Sequence, residues 1–246
     1  MLLLTPPKAY RRGYPVAVLV GLKEDQAVLW KIFSNVAKPD RTLRLNGYRN
    51  DQKALYNFHE SIVNAFRPTM KEGVKSIILA SPMRTNYAAE FLKHIREHHA
   101  WLTQGQSKAT FAEMAGSANS VHEVTTLTRT PEFSQIVGET TMEETENLIE
   151  LLEKRLNSSN REPLVLYSVE EIENKVLGPW LPGKAKPEYL LITDTCILRS
   201  RQKNRLQRLI QIAINREIKT RTVKTDSPAG KRLMQLGGIV CIMRPE

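Results

Sequence analysis

The chain has 246 residues, 41% of them hydrophobic and 25% charged, a balance that supports a packed core and excludes wholesale disorder. Its 36 basic residues outnumber 26 acidic ones, for a formal charge of +10, which points to a polyanionic partner, nucleic acid first among them. Cys196 and Cys241 are too few for a disulfide framework or a Cys-rich zinc site, no apolar run nears the length of a membrane span, and Pro6 and Pro7 cut short the opening Met-Leu-Leu-Leu, so a cytoplasmic location is expected.

Residues 15–20 and 27–33 read as strands joined by Lys23-Glu24-Asp25, and 41–45 alternates with period two as a third. Asn46-Gly47 marks a turn. Asp51 is the expected N-cap of a helix that carries Leu55, Phe58, Ile62, Val63 and Phe66 on one face and is closed by Pro68 and Gly73. Residues 74–80 read as a buried strand, and a helix follows Ser81-Pro82 through Ala88, Phe91, Leu92 and Ile95. A short strand near Phe111, a loop from Gly116 to Ser120 and a helical turn fill 109–127. A helix over 141–156 turns Leu148, Leu151, Leu152 and Leu156 inward.

Asn157-Ser158-Ser159-Asn160 is the clearest linker, so two domains are expected, at 13–157 and 161–246. In the second, Ser168 opens a helix with Glu171 placed for a capping box. A strand at 189–193, an amphipathic helix at 201–216, a strand at 219–225, a helix at 229–236 and a strand at 239–243 follow. The order predicts an α/β fold: a mixed sheet with helices packed on it, then a smaller α/β/α sandwich.

The charge is uneven. Between Arg199 and Arg232 stand eleven basic residues against Glu217 and Asp226. A second basic stretch, 38–53, holds Lys38, Arg41, Arg44, Arg49 and Lys53 against Asp40 and Asp51. On the 201–216 helix, Arg201, Arg205 and Arg208 share a face opposite Leu206, Leu209, Ile210 and Ala213, a spacing suited to positioning phosphates. With Arg44, Arg49 and Lys53 they form the expected RNA-binding set. No phosphate-cradling Gly loop, nucleophile elbow or HExxH helix occurs, and the adjacent His98-His99 point to different faces of a helix, so neither a metal nor a cofactor is expected. Trp30, Trp101 and Trp180 are scattered and read as packing residues.

Two segments carry a resemblance. From Asp226 to Arg244 the chain shows Ser227, Gly230, Leu233, then Gly237-Gly238-Ile239 and an apolar strand ending in Arg, which resembles the C-terminal signature of the Pelota and class I release-factor family. Ala54 to Val63 followed by Val74 to Pro82 resembles the middle domain of Pelota, and the order through the acidic helix to Tyr167-Ile172 follows it, over about residues 13–244. The resemblance implies an RNase H-like middle domain, followed by a domain similar to kink-turn-binding ribosomal proteins. It implies a ribosome-associated factor in ribosome rescue or translation quality control, bound to rRNA and tRNA at the large subunit. A translational GTPase and a recycling ATPase are the implied partners, and no cofactor.

Only about a dozen residues precede the first strand, so the family's decoding-site domain finds no counterpart and stop-codon reading is not expected. In release factors the loop before the Ala54-Leu55 helix carries Gly-Gly-Gln, whose Gln amide helps stabilise an oxyanion while water attacks the peptidyl-tRNA ester. Here Asn50-Asp51-Gln52 stands instead, with Gln52 at the place of the catalytic Gln and both glycines replaced. One alternative reading is therefore a peptidyl-tRNA hydrolase using Gln52; against it, Gln52 after an Asp N-cap is an ordinary first-turn residue. Another is a stand-alone structured-RNA-binding module.

Overall fold

Alternating apolar residues build the first sheet. The computed structural model describes residues 15–33, 36–104, 108–159, 162–200 and 202–245. β1 (Ala17–Leu22) is buried along its whole length, and β2 (Gln26–Phe33) pairs with it antiparallel across the polar 23–25 turn. β3 (Val36–Arg44) adds an exposed edge strand whose register shifts opposite Leu29 and Trp30. Pro39, which cannot donate to a ladder, is tolerated on such an edge. α1 (Gln52–Lys71), β4 (Ser76–Ser81), α2 (Tyr87–His98), α3 (Ala100–Thr103), β5 (Thr110–Ala115) and α4 (Val121–Leu127) follow. β4 joins β1 and β5 joins β4, both parallel, so the order β3-β2-β1-β4-β5 is the mixed RNase H-like sheet that was expected. Phe58, Ile62 and Phe66 of α1 and Phe91 and Ile95 of α2 fill one face; Val124, Leu127 and Phe133 fill the other.

α5 (Pro131–Leu156) leads to β6 (Val165–Leu166), α6 (Val169–Leu177), β7 (Lys186–Thr193), α7 (Asp194–Arg199), α8 (Lys203–Asn215), β8 (Lys219–Val223), α9 (Pro228–Gln235) and β9 (Ile239–Arg244). The second sheet runs β6-β9-β7-β8, with β7 and β8 parallel and the other pairs antiparallel. Ile172 and Val176 of α6 and Leu206, Leu209 and Ala213 of α8 cover one face. Ala229 and Leu233 of α9 cover the other, together with Leu148, Leu151 and Leu152 of α5. The α/β/α sandwich therefore takes one outer layer from a helix that starts on the first sheet. α5 thus contributes Phe133 to the apolar cluster of the first sheet and Leu148, Leu151 and Leu152 to that of the second. Gly237 and Gly238, at φ +95° and +80°, make the tight reversal from α9 into β9. Among the described residues no helix is long and apolar enough to cross a membrane.

Three local expectations need correction. α1 runs through Pro68 to Lys71, the proline forgoing one backbone bond, so of the two expected closing residues it is Gly73, at φ +100°, that ends the segment. α5 begins at Pro131 rather than 141. Thr130 caps it, its hydroxyl accepting from the Phe133 amide at 3.2 Å, and Pro131 stands at the first position, where no N–H is needed. Ser168 does start α6, yet its side chain makes no cap bond; the reciprocal capping box forms instead between Ser120 and Glu123 at α4.

Midway, α5 is rich in weak helix formers. Gly138 faces open space, and the hydroxyls of Thr140, Thr141 and Thr145 donate back to the carbonyls of Ile136, Val137 and Thr141. Just beyond lies Glu144, 6% exposed. Its Oε2 accepts from the Ser76 hydroxyl at 2.9 Å and the Lys75 amide at 3.2 Å, both on the first-sheet side. Its Oε1 accepts from Arg221 Nε of β8 at 2.9 Å. A Cβ on Gly73 would come within 2.9 Å of the same guanidinium, so a glycine is needed where the turn after α1 meets β8. At the other end of the sandwich, Asp194 Oδ1 accepts from the amides of Thr195 and Thr225, at 2.7 and 3.0 Å, and from the Thr225 hydroxyl. Burial opposes the Asp194 charge, but the bonds from Thr225 and Thr195 outweigh it and hold the carboxyl below its ordinary range.

Removing the Glu144 carboxylate in Glu144→Ala strands a buried guanidinium and should cost about 3–5 kcal/mol, read from urea unfolding. For Asp194 the lowered native pKa gives a stabilisation present above about pH 4 and lost as pH falls through the native value. The urea midpoint of Asp194→Asn should therefore lie below that of the parent protein at pH 7, and the gap should close in acid.

Candidate nucleic-acid interface

The described residues of the expected RNA-binding set fall into two groups, one around the β3–α1 loop and one on α8. Around the β3–α1 loop, Asp51 caps α1, its Oδ1 accepting from the Lys53 and Ala54 amides at 2.9 and 3.2 Å. Gln52 is thus the first residue of the helix, and it is exposed. Tyr48, 82% exposed, projects from the same loop. Arg44 and Lys53 are exposed and make no ion pair. Arg49 is occupied within the molecule. Its Nε and one terminal nitrogen donate to Glu90 Oε2 at 3.1 and 2.7 Å. The other terminal nitrogen reaches the carbonyls of Lys23 and Glu24, and the guanidinium lies 3.9 Å from the Tyr87 ring centre. It straps the loop to α2 and to the β1–β2 turn.

On the second sheet the same division applies. Arg201 lies outside the described residues. Arg205 faces outward but its Nε donates to both carboxylate oxygens of Glu173, each at 2.8 Å, and it also donates to Gln202. Arg216 donates to the carbonyls of Val176 and Gly178 and lies over Trp180. Lys219 pairs with Glu188, Arg221 with Glu144, and Arg232 with Glu153. Within the 199–232 stretch, the described cations that remain exposed and without an ion pair are Arg199, Lys203 and Arg208 around α7 and α8, with Lys224 and Lys231 flanking the start of α9. Of the ten described cations between Arg199 and Arg232, five, namely Arg205, Arg216, Lys219, Arg221 and Arg232, are thus spent on holding the fold together. Of the tryptophans, Trp30 is buried and donates to the Ala118 carbonyl at 2.7 Å, as a packing residue should; Trp101 is 44% exposed, with Arg67 over its ring.

A second group of chemically active residues lies between α1 and α2, and sequence reading missed it. His98 and His99 do part company, since His99 leaves the helical conformation at φ −129°. However, His99 and His94 both reach Glu60 of α1: their Nε2 atoms stand 2.6 and 3.0 Å from Glu60 Oε1. His59 packs 5.0 Å from His94, ring centre to ring centre. Burial above all, then His94 and Arg49, pushes the His59 pKa down to about 3. His94 is lowered by burial against the pull of Glu60, and Glu60 is lowered by His99 and His94 although its own partial burial raises it.

Because Asp51 holds two first-turn amides, Asp51→Ala should cost about 1 kcal/mol of stability, whereas Gln52→Ala at the exposed neighbouring position should leave the urea midpoint within error.

No protein-family model matches the chain. It is 24% identical over 204 residues to the Pelota homolog of Pyrococcus furiosus, an alignment that covers 82% of this chain and 51% of that protein. The Pelota homolog of Pyrococcus horikoshii is 25% identical over 206 residues, with the same coverage. The chain thus spans about half the length of the curated relatives it matches. Among solved structures, a model of ribosome-bound archaeal Pelota and ABCE1 superposes with a TM-score of 0.59 at 16% identity, over 97% of this chain and 64% of that one. Saccharomyces cerevisiae Dom34, described as a translation termination-like factor involved in RNA quality control pathways and interacting with Hbs1, gives a TM-score of 0.52 at 20% identity, over 96% of this chain and 66% of that one. In sequence and in fold, across both of its sheets, the chain is Pelota-like.

Proposed function

We propose that this protein is a ribosome-associated factor of translation quality control that acts in ribosome rescue and is held on rRNA and tRNA by exposed cations. The observation that carries the reading is the likeness to Pelota homologs along 82% of the chain, joined to a TM-score of 0.59 against Pelota bound to a ribosome. Cationic chemistry on the surface supports it. Arg199, Lys203 and Arg208 around α7 and α8, and Arg44 and Lys53 beside the β3–α1 loop, present charge that no internal carboxylate neutralises. Such side chains position a protein on phosphates without reading sequence. A translational GTPase and a recycling ATPase are the partner classes that the same likeness suggests.

Ester hydrolysis draws less support. The Asp51 carboxylate stands next to Gln52, and negative charge there opposes a developing oxyanion. A stand-alone module made of 161–246 is also disfavoured, because its sheet would lose Leu148, Leu151 and Leu152 from one face.

The test is co-sedimentation of the full chain with ribosomal subunits at low and rising salt. Binding should weaken steeply with salt as counterions are taken up again. The double variants Lys203→Glu/Arg208→Glu and Arg44→Glu/Lys53→Glu, all at exposed positions, should each weaken it and flatten that slope. No co-sedimentation at low salt, or binding indifferent to salt and to both variants, overturns the proposal.

A further inference from the structure

The chain contains five histidines, and four of them, His59, His94, His98 and His99, gather between α1 and α2. Their placement is specific. α1 supplies Tyr56, His59 and Glu60 from successive positions on one face, and α2 answers with His94 and His98 one turn apart. His99 then caps α2. Its own amide donates to the Ile95 carbonyl and its carbonyl accepts from the Leu102 amide, each at 2.8 Å, so its backbone is fixed on both sides. The non-helical turn of His99 lets two sequence neighbours diverge: His98 stacks edge-on with Tyr56 at 5.0 Å, and His99 reaches Glu60.

One carboxylate oxygen of Glu60 and one ring nitrogen from each of His94 and His99 all lie within 4.8 Å of one another. His94 and His99 are buried, at 6% and 7% exposure, while Glu60 opens toward solvent. Two imidazole nitrogens and one carboxylate oxygen, converging from two helices and one fixed cap, are the donor set of a borderline cation with one position left for water. Tetrahedral bonds of about 2.0–2.1 Å require donor atoms about 3.3 Å apart. The Glu60 oxygen, now 2.6 and 3.0 Å from the two imidazole nitrogens, would have to draw back by less than about 1 Å to match that. An ion entering there replaces two N–H···O bonds: each neutral imidazole carries its proton on Nδ1 instead and offers the Nε2 lone pair.

We propose that Glu60, His94 and His99 form a binding site for a divalent transition-metal ion of the zinc class, with solvent as the fourth ligand. The ion clamps the end of α2 to the middle of α1. The site is independent of the ribosomal reading and stands or falls without it.

The experiment uses full-length protein freed of metal by a chelator and titrated with Co2+. One equivalent should bind and give the intense visible bands of a four-coordinate ion, which Zn2+ then displaces. Zn2+ alone should raise the thermal midpoint in a concentration-dependent way. His94→Gln, His99→Gln and Glu60→Gln should each weaken Co2+ binding by more than about tenfold. His98→Gln, which removes a neighbouring imidazole but none of the three donors, should bind as the parent does. Failure of the parent protein to bind one equivalent overturns the site without recourse to any variant. So does a spectrum retained in both His94→Gln and His99→Gln, or one lost equally in His98→Gln.

Discussion

A carboxylate that leaves water must find positive charge or hydrogen-bond donors, and Glu144 finds both from opposite directions. Arg221 comes from the second sheet, and the Ser76 hydroxyl and Lys75 amide come from the first. Because desolvation of an unpaired ion costs several kcal/mol, these groups cannot part without returning water to the junction. The turn after α1 must pass close to β8 for the pair to form, which is why Gly73 carries no side chain there. Lys219, on the same strand as Arg221, is in turn held by Glu188. The seam between the sheets is thus organised around a single ionised group on a helix that belongs to both.

The same logic governs the rest of the basic residues. A run of eleven cations reads as a surface for polyanions, but guanidinium groups also serve folding. Arg216 satisfies carbonyls at the end of α6, and Arg232 joins α9 to Glu153 of α5. Bidentate geometry makes arginine the residue of choice for such internal tasks. The acidic partners are far away in sequence, Glu144 standing 77 positions before Arg221, so a local charge count cannot subtract them. The surface that remains is smaller and more sharply placed than the composition suggests.

Periodicity made the strands and most of the helices legible, since each buries one face against a sheet and so carries a regular apolar signal. β1, β4, β7 and β9 stand within a few residues of their expected places. The Asp51 cap was readable too, because its signal is local. What escaped depends on contacts across the chain. Residues 131–140 carry Ser134, Gly138 and Thr140, which hide helical character; the cap at Thr130-Pro131 was the available clue. The extent of β3 depends on pairing with β2 rather than on its own polar sequence. The histidines escaped because the relevant spacing is not the adjacent pair but His94 and His99 about a helix end, with Glu60 brought from another helix.

α5 rises about 1.5 Å per residue, so its 26 residues extend for roughly 39 Å. Its stiffness is not uniform along that length. The Gly138 to Thr145 segment combines high backbone freedom with hydroxyls that compete for the helical carbonyls, and it falls between the two halves that are clamped in apolar cores. A beam held at both ends and softened in the middle concentrates its curvature there. The Glu144 contact falls inside that stretch, so the two turns of α5 richest in competing hydroxyls are also the ones fastened to both sheets at once.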